Sequence, residues 1–141
     1  MVLSGRRIAA ASAFTLVELI VVIIVLAVLS AVAIPKYIDY SSQAKASACK
    51  AVLGNVRSAI ANSYASSAVN GAPAYPTLAQ LQTNGTVLTE TVPSNPFNSS
   101  TTVQASTWAL TPPTSGNAGW NYDATNGKFW ANSAVSDENT W

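Results

Sequence analysis

The stretch FTLVELIVVIIVLAVLSAVAI, Phe14 to Ile34, holds 21 residues, and Glu18 is its only charge. As an α-helix it would extend roughly 31 Å at ~1.5 Å per residue, enough to cross a bilayer hydrocarbon core of about 30 Å. Many of its side chains are β-branched, a weak drawback for a helix in water. Lipid reverses that preference, because a lone segment satisfies all its backbone hydrogen bonds internally only as a helix. The stretch predicts a membrane-spanning helix.

On its N-terminal side, residues 1–13 carry Arg6 and Arg7 and no acid, a short basic leader. The positive-inside rule then places the N-terminus in the cytoplasm and everything beyond Ile34 across the membrane, a single-pass arrangement. On the other side Pro35 lacks an N–H and predicts a kink, yet the helical pattern continues. Tyr37, Tyr40, Ala44, Ala48, Val52, Val56, Ile60 and Tyr64 recur at three- and four-residue steps as an apolar stripe, with Lys36, Asp39, Lys45, Lys50 and Arg57 mostly outside it. An amphipathic helix over residues 35–70 follows, stopped by Asn70-Gly71 ahead of Pro73 and Pro76. A continuous helix from Phe14 to Val69 would be about 84 Å long, more than a domain of this size can bury. Half of it must find partners elsewhere.

Residues 71–141 predict a loop-rich β head packed on the 35–70 helix. Thr77-Leu78-Ala79-Gln80 has capping-box spacing for a short helix to about Thr83, ended by Asn84-Gly85. Pro93, Pro96, Pro112 and Pro113 cut the following region into loops and short strands. Gly119-Trp120-Asn121-Tyr122-Asp123, a turn at Ala124-Thr125-Asn126-Gly127, and Lys128-Phe129-Trp130-Ala131-Asn132 read as a hairpin whose aromatics pack on the helix. The fold class is α+β, a long N-terminal helix against a small antiparallel sheet.

Composition narrows function. Charged residues are 9% of 141, so a basic nucleic-acid-binding face is not expected. Histidine is absent and Cys49 is the single cysteine, which removes His-assisted nucleophiles and His/Cys zinc sites within one subunit. No enzyme activity is expected. Cys49, on the helix, reads as a small buried hydrophobe.

The junction Ser12-Ala13-Phe14-Thr15-Leu16-Val17-Glu18-Leu19 resembles the N-terminus of type IV pilins and of the pseudopilins of type II secretion systems. The resemblance extends to Ile34-Pro35-Lys36-Tyr37-Ile38-Asp39-Tyr40, similar to the family's proline and two tyrosines just past the membrane span. It implies cleavage between Ala13 and Phe14 by a prepilin peptidase that then methylates the new Phe14 amine. Removing the leader leaves five Lys and Arg against six Asp and Glu, a net charge of −1. The resemblance further implies a homo-oligomeric filament built through the N-terminal helix, an assembly platform protein and a cytoplasmic ATPase. It implies storage in inner-membrane lipid, then a periplasmic or extracellular filament. The family usually has glycine before the cut, where this chain has Ala13; Ala27 and Gln43 stand where pilins often carry glycine and arginine.

Glu18 has a reading of its own. An ionisable group at the bilayer centre costs on the order of 3 kcal/mol and implies a partner. Cleavage would create one, the Phe14 amine, one turn away in the same chain or on a neighbouring helix during assembly. The bland alternative is a glutamate at headgroup level. Ala11-Ser12-Ala13 has the form of a signal-peptidase site but precedes the apolar run. Ala31-Val32-Ala33 follows it, so an ordinary signal peptide, leaving a secreted or membrane-tethered binding module, is the rival. Arg6-Arg7 alone is a weak twin-arginine match.

Many pilins close a C-terminal loop with a disulfide, which one cysteine cannot supply; this favours a pseudopilin over a surface pilus subunit for adhesion, motility or DNA uptake. Major pseudopilins brace C-terminal loops with calcium, for which Asp123 and Asp137 are the candidates, beside Asn126 and Glu138. Their spacing is not that of an EF-hand, and turn-forming or solubilising roles compete. Trp108, Trp120, Trp130 and Trp141 could form a sugar-binding platform or pack a small β-layer.

Overall fold

The computed structural model describes residues 14–141, so the basic leader, including Ala13, lies outside the described residues. Helix α1 (Leu16–Val69) is followed by α2 (Leu78–Gln82), strands β1 (Val103–Ala105), β2 (Trp120–Asp123) and β3 (Lys128–Ala131), and a 3₁₀ turn at Glu138–Thr140. The layout is α+β. Contacts divide the chain into two units, Met1–Tyr40 and Ser41–Trp141.

In the first unit every residue from Phe14 to Tyr40 is exposed, including all the Leu, Val and Ile side chains. This part of α1 makes the helix long and apolar enough to cross a membrane. Pro35 lies inside the helix. Its missing N–H leaves the carbonyl one turn back, Ala31, without its usual donor, a cost that proline in a helix interior carries and proline in a first turn does not.

The second unit carries the core. Cys49, Leu53, Val56 and Ile60 of α1 pack with Leu81, Val92, Val103, Trp120, Tyr122, Phe129 and Ala131. The expected stripe holds at Val56 and Ile60 but not before them, where Ala44 and Ala48 are exposed and Cys49 and Leu53 are buried instead. Repeated four-residue steps drift around a helix of 3.6 residues per turn, whereas the 4-3-4 steps from Cys49 to Ile60 hold one face.

Helix α2 starts with the expected capping box: Thr77 accepts from the Gln80 N–H while the Gln80 side chain accepts from the Thr77 N–H at 2.8 Å. The expected hairpin is β2 and β3, antiparallel, with Trp120 opposite Ala131 and Tyr122 opposite Phe129. The sheet is mixed, however, and not purely antiparallel: β1 lies parallel to β2, Val103 opposite Trp120. Parallel pairing needs a long crossover, which the segment 106–119 supplies. That segment also explains why all four residues of β2 are buried. Trp120 and Tyr122 face the core, while Asn121 and Trp130 lie under the crossover and donate to the Pro113 carbonyl at 3.0 Å each. Trp130 therefore packs beneath this loop and not, as expected, on the helix.

Asparagines fasten the loops. Fully buried Asn95 donates to the Gly119 carbonyl at 2.8 Å and accepts from the Phe97 N–H at 2.9 Å. Asn132 donates to the carbonyls of Ser115 and Ala118.

Candidate functional site

The N-terminal end of α1 opens on a second capping box. The Thr15 N–H and hydroxyl both donate to Glu18 Oε2 at 2.8 Å, and the Glu18 N–H donates to Thr15 Oγ1 at 3.2 Å. Each side chain thereby satisfies a backbone donor that a helix terminus would otherwise leave open. The T-x-x-E spacing is the same signal as at Thr77, hidden here by the apolar run. Glu18 accordingly has a partner within its own chain, beyond the Phe14 amine considered above. Phe14 precedes the helix and its side chain is exposed. Phe14, Glu18 and Pro35 thus share one exposed segment, while Ala13 lies outside the described residues.

The two calcium candidates have different surroundings. Asp123 is buried at the end of β2 and accepts from the N–H groups of Trp108 and Thr125 and from Asn126 Nδ2, at 2.9–3.0 Å. The Trp108 N–H is foremost among the contacts holding its carboxyl below the ordinary range, against the opposing effect of burial. A carboxylate ringed by N–H donors organises a turn and is poorly presented to a cation. Asp137 caps the 3₁₀ turn in a left-handed conformation, φ 57°, and its side chain makes no capping hydrogen bond. Among the described residues no three His, Cys, Asp or Glu side chains gather as a metal-ligand group. Glu138, fully buried, accepts from the N–H groups of Val135 and Ser136 at 3.1 and 2.6 Å.

Arg57 is the residue that the apolar pattern does not single out. Half-buried on α1, it donates through Nε to the Phe129 carbonyl at 2.9 Å and through a terminal nitrogen to the main-chain oxygen of Trp141, joining helix, sheet and residue 141. Burial lowers its pKa from the ordinary range. These contacts span 72 and 84 residues, so no local pattern encodes them. Arg57, Trp108, Gly127, Lys128, Phe129 and Trp141 line a cavity of about 320 Å³.

The chain matches no family model, no curated protein and no solved structure.

Proposed function

We propose that this chain is a prepilin-like structural subunit, without catalytic activity, that polymerises through its N-terminal helix once its leader is removed. The observation that carries the reading is the segment Phe14–Ile34: helical from Leu16, exposed at every position, apolar but for Thr15, Glu18 and Ser30, with Glu18 its single charge. A helix of this kind is stable in two settings, lipid and a bundle of like helices, and exchanging one for the other is what polymerisation from a membrane requires. In this reading the subunit waits in the inner membrane with its N-terminus cytoplasmic. A prepilin peptidase cuts between Ala13 and Phe14 and methylates Phe14. Glu18 then pairs with the Phe14 amine of a neighbour and sets its register. A platform protein and an ATPase supply the extraction from lipid, and the filament core replaces lipid contacts with helix contacts.

Mass spectrometry of the mature protein tests this directly. The expected N-terminus is N-methylated Phe14; a start at Ile34 would favour the rival secreted module and overturn the assignment.

Between filament types the reading favours a type II secretion pseudopilus. Cys49 is buried on α1 and is the sole cysteine, so no intrachain disulfide clamps the head against pulling. Deleting the gene and measuring secreted enzymes and surface filaments separates the two. Lost filaments with normal secretion would assign a surface pilus instead.

A further inference from the structure

Leu110 is the one large apolar side chain of the unit Ser41–Trp141 whose whole surface is exposed. A lone leucine on a loose loop would need no explanation. This one is held in place. It stands in the crossover 106–119, which is fastened on both sides of it: the Trp108 N–H donates to Asp123 Oδ2 at 3.0 Å, and the Pro112 carbonyl accepts from Asn139 Nδ2 at 2.8 Å. The next carbonyl, of Pro113, accepts from Asn121 and Trp130, and two consecutive prolines restrict the main chain further. Leu110 is thus presented already ordered, so a contact made by it loses little to ordering the loop.

The same unit carries an apolar cavity of about 210 Å³, walled by Val52 and Val56 of α1 and by Leu88, Val92 and Pro93, with the exposed Glu90 also lining it. An apolar cavity of roughly 150 Å³ holds a benzene molecule, so there is room here for a leucine side chain. At ~100° per residue, Val52 and Asn55 lie to one side of the buried row Cys49, Leu53, Val56 and Ile60, and Lys50 and Arg57 to the other. Asn55 joins the wall of this cavity, whereas Lys50 and Arg57 reach Trp141, and Arg57 shares a cavity wall with Trp108 and Lys128. The Leu110 loop, which begins beside Trp108, and the apolar cavity therefore belong to opposite flanks of α1. Their charges are also opposite. Lys128 is exposed with Nζ 5.7 Å from the ring of Trp108, two residues before Leu110, while Glu90 stands at the cavity.

We infer that Leu110 of one copy of this chain enters the Val52–Val92 cavity of the next copy, with Lys128 of the first facing Glu90 of the second. A contact between two different patches is heterologous: after one such contact each copy still has either a free leucine or a free cavity to offer, so the contact repeats along a row of copies. Burial of the leucine supplies the attraction, and the Lys128–Glu90 pair selects the orientation. The inference rests on the assembly reading and adds to it a side-to-side contact between heads, beyond the one made by the N-terminal helices.

Cross-linking in sheared filaments of the full chain tests it, with Leu110→Cys and Thr89→Cys, two exposed positions, and a short bismaleimide. Cys49 is buried and does not compete. Filaments of the double variant should give a ladder of dimers, trimers and longer species. Coassembled single variants should stop at dimers, and each single variant alone should stay uncoupled. Leu110→Asp should lower filament yield about tenfold, the loss expected when one leucine stays unburied. Its mature N-terminus and melting temperature should match wild type, because Leu110 adds nothing to the core of its own chain. Glu90→Lys should lower the yield as well, and Lys128→Glu in the same chain should restore it. Wild-type filaments with no ladder from the double variant, or Leu110→Asp at wild-type yield, would overturn the inference and leave the assembly reading standing. A wild type that forms no filaments would overturn both.

Discussion

Thr15 and Glu18 cap α1 reciprocally, each side chain accepting a hydrogen bond from the other's main-chain N–H. In the proposed reading one carboxylate therefore serves two structures in succession. In the lone subunit it satisfies the helix terminus; in the proposed filament it meets the Phe14 amine of a neighbour. Glu18→Ala should leave membrane insertion intact or improve it, since a charge leaves the lipid, and should impair polymerisation. Thr15→Ala separates the two roles, because it removes half the box, worth about 1 kcal/mol of helix capping, but keeps the carboxylate. The expected order of filament yield, measured by shearing and immunoblot, is wild type, then Thr15→Ala, then Glu18→Ala. Normal yield from Glu18→Ala would remove Glu18 from assembly.

A truncation starting at Lys36 should be soluble, monomeric and cooperatively folded. Every member of the core cluster, from Cys49 to Ala131, belongs to the unit Ser41–Trp141, and the exposed apolar segment contributes none. Ultracentrifugation and a single thermal transition would verify this. Aggregation without a transition would mean that the head requires its N-terminal segment.

The elements that could be read in the sequence are those encoded locally. The apolar run, the T-x-x-Q box at Thr77 and the turn at Asn126-Gly127 each lie within one short window, and Gly127 indeed adopts φ +65°. The tight turn fixes the hairpin register by itself. Strand β1 has three residues and finds its partner 17 positions away, so periodicity carries no trace of it. Asn95 sits in a stretch that reads as polar loop, and Asn121 and Asn132 stand at polar positions of the expected hairpin, yet all three are buried because their amides satisfy loop carbonyls. In the candidate site, Phe14, Glu18 and Pro35 are nominated by the sequence motif alone. No motif nominates the Arg57 cavity, because the chain closes it across 84 residues.

Two glycines should tolerate no side chain. At Gly119 a methyl group would fall 1.9 Å from the Ser100 carbonyl oxygen, a rigid main-chain atom held by the Asn95 N–H. Gly127 combines a left-handed backbone with a methyl position 2.3 Å from the Tyr75 ring. Gly119→Ala should destabilise the head by about 3 kcal/mol or more, and Gly127→Ala by about 1–3 kcal/mol. Gly54, with open space around it on α1, is the control, and Gly54→Ala should stabilise by up to about 1 kcal/mol. Denaturant melts of the three variants check the order.

Glu138 should make the C-terminal segment sensitive to acid. Burial works to raise its carboxyl pKa, but hydrogen bonds from Ser133 and from the N–H groups of Ser136 and Val135 outweigh it and hold the group below the ordinary range. A carboxyl depressed in the fold contributes stability that is present above its unfolded pKa and lost as pH falls through the folded one. The melting temperature should therefore drop below about pH 4.5, the ordinary glutamate value. Glu138→Gln replaces an acceptor pair with one acceptor and one donor facing two N–H groups, costing about 1–3 kcal/mol at neutral pH and flattening the acid limb. An acid limb identical to wild type would locate the sensitive carboxylate elsewhere, with Asp123 next in line.

At the alkaline end the head should weaken through two groups that the core keeps protonated. Burial foremost, then the charge of Glu138, pushes the Cys49 thiol up to about 11, with Arg57 opposing. Burial likewise pushes the Tyr122 phenol, which donates to the Pro76 carbonyl at 2.6 Å, up to about 12. In the unfolded chain these groups ionise at their ordinary values, 9.0 and 10.0. Between those values and the raised ones the folded state binds more protons, so stability is full below pH 9 and falls as pH rises towards 12. Cys49→Ala should remove the first part of that fall, at the cost of a small cavity. Tyr122→Phe should remove the second, while losing about 1 kcal/mol at neutral pH because the buried Pro76 carbonyl loses its donor. Melting temperatures of wild type and both variants from pH 7 to 11 check this. A wild-type curve that stays flat to pH 11 would mean that water reaches both groups in the folded head.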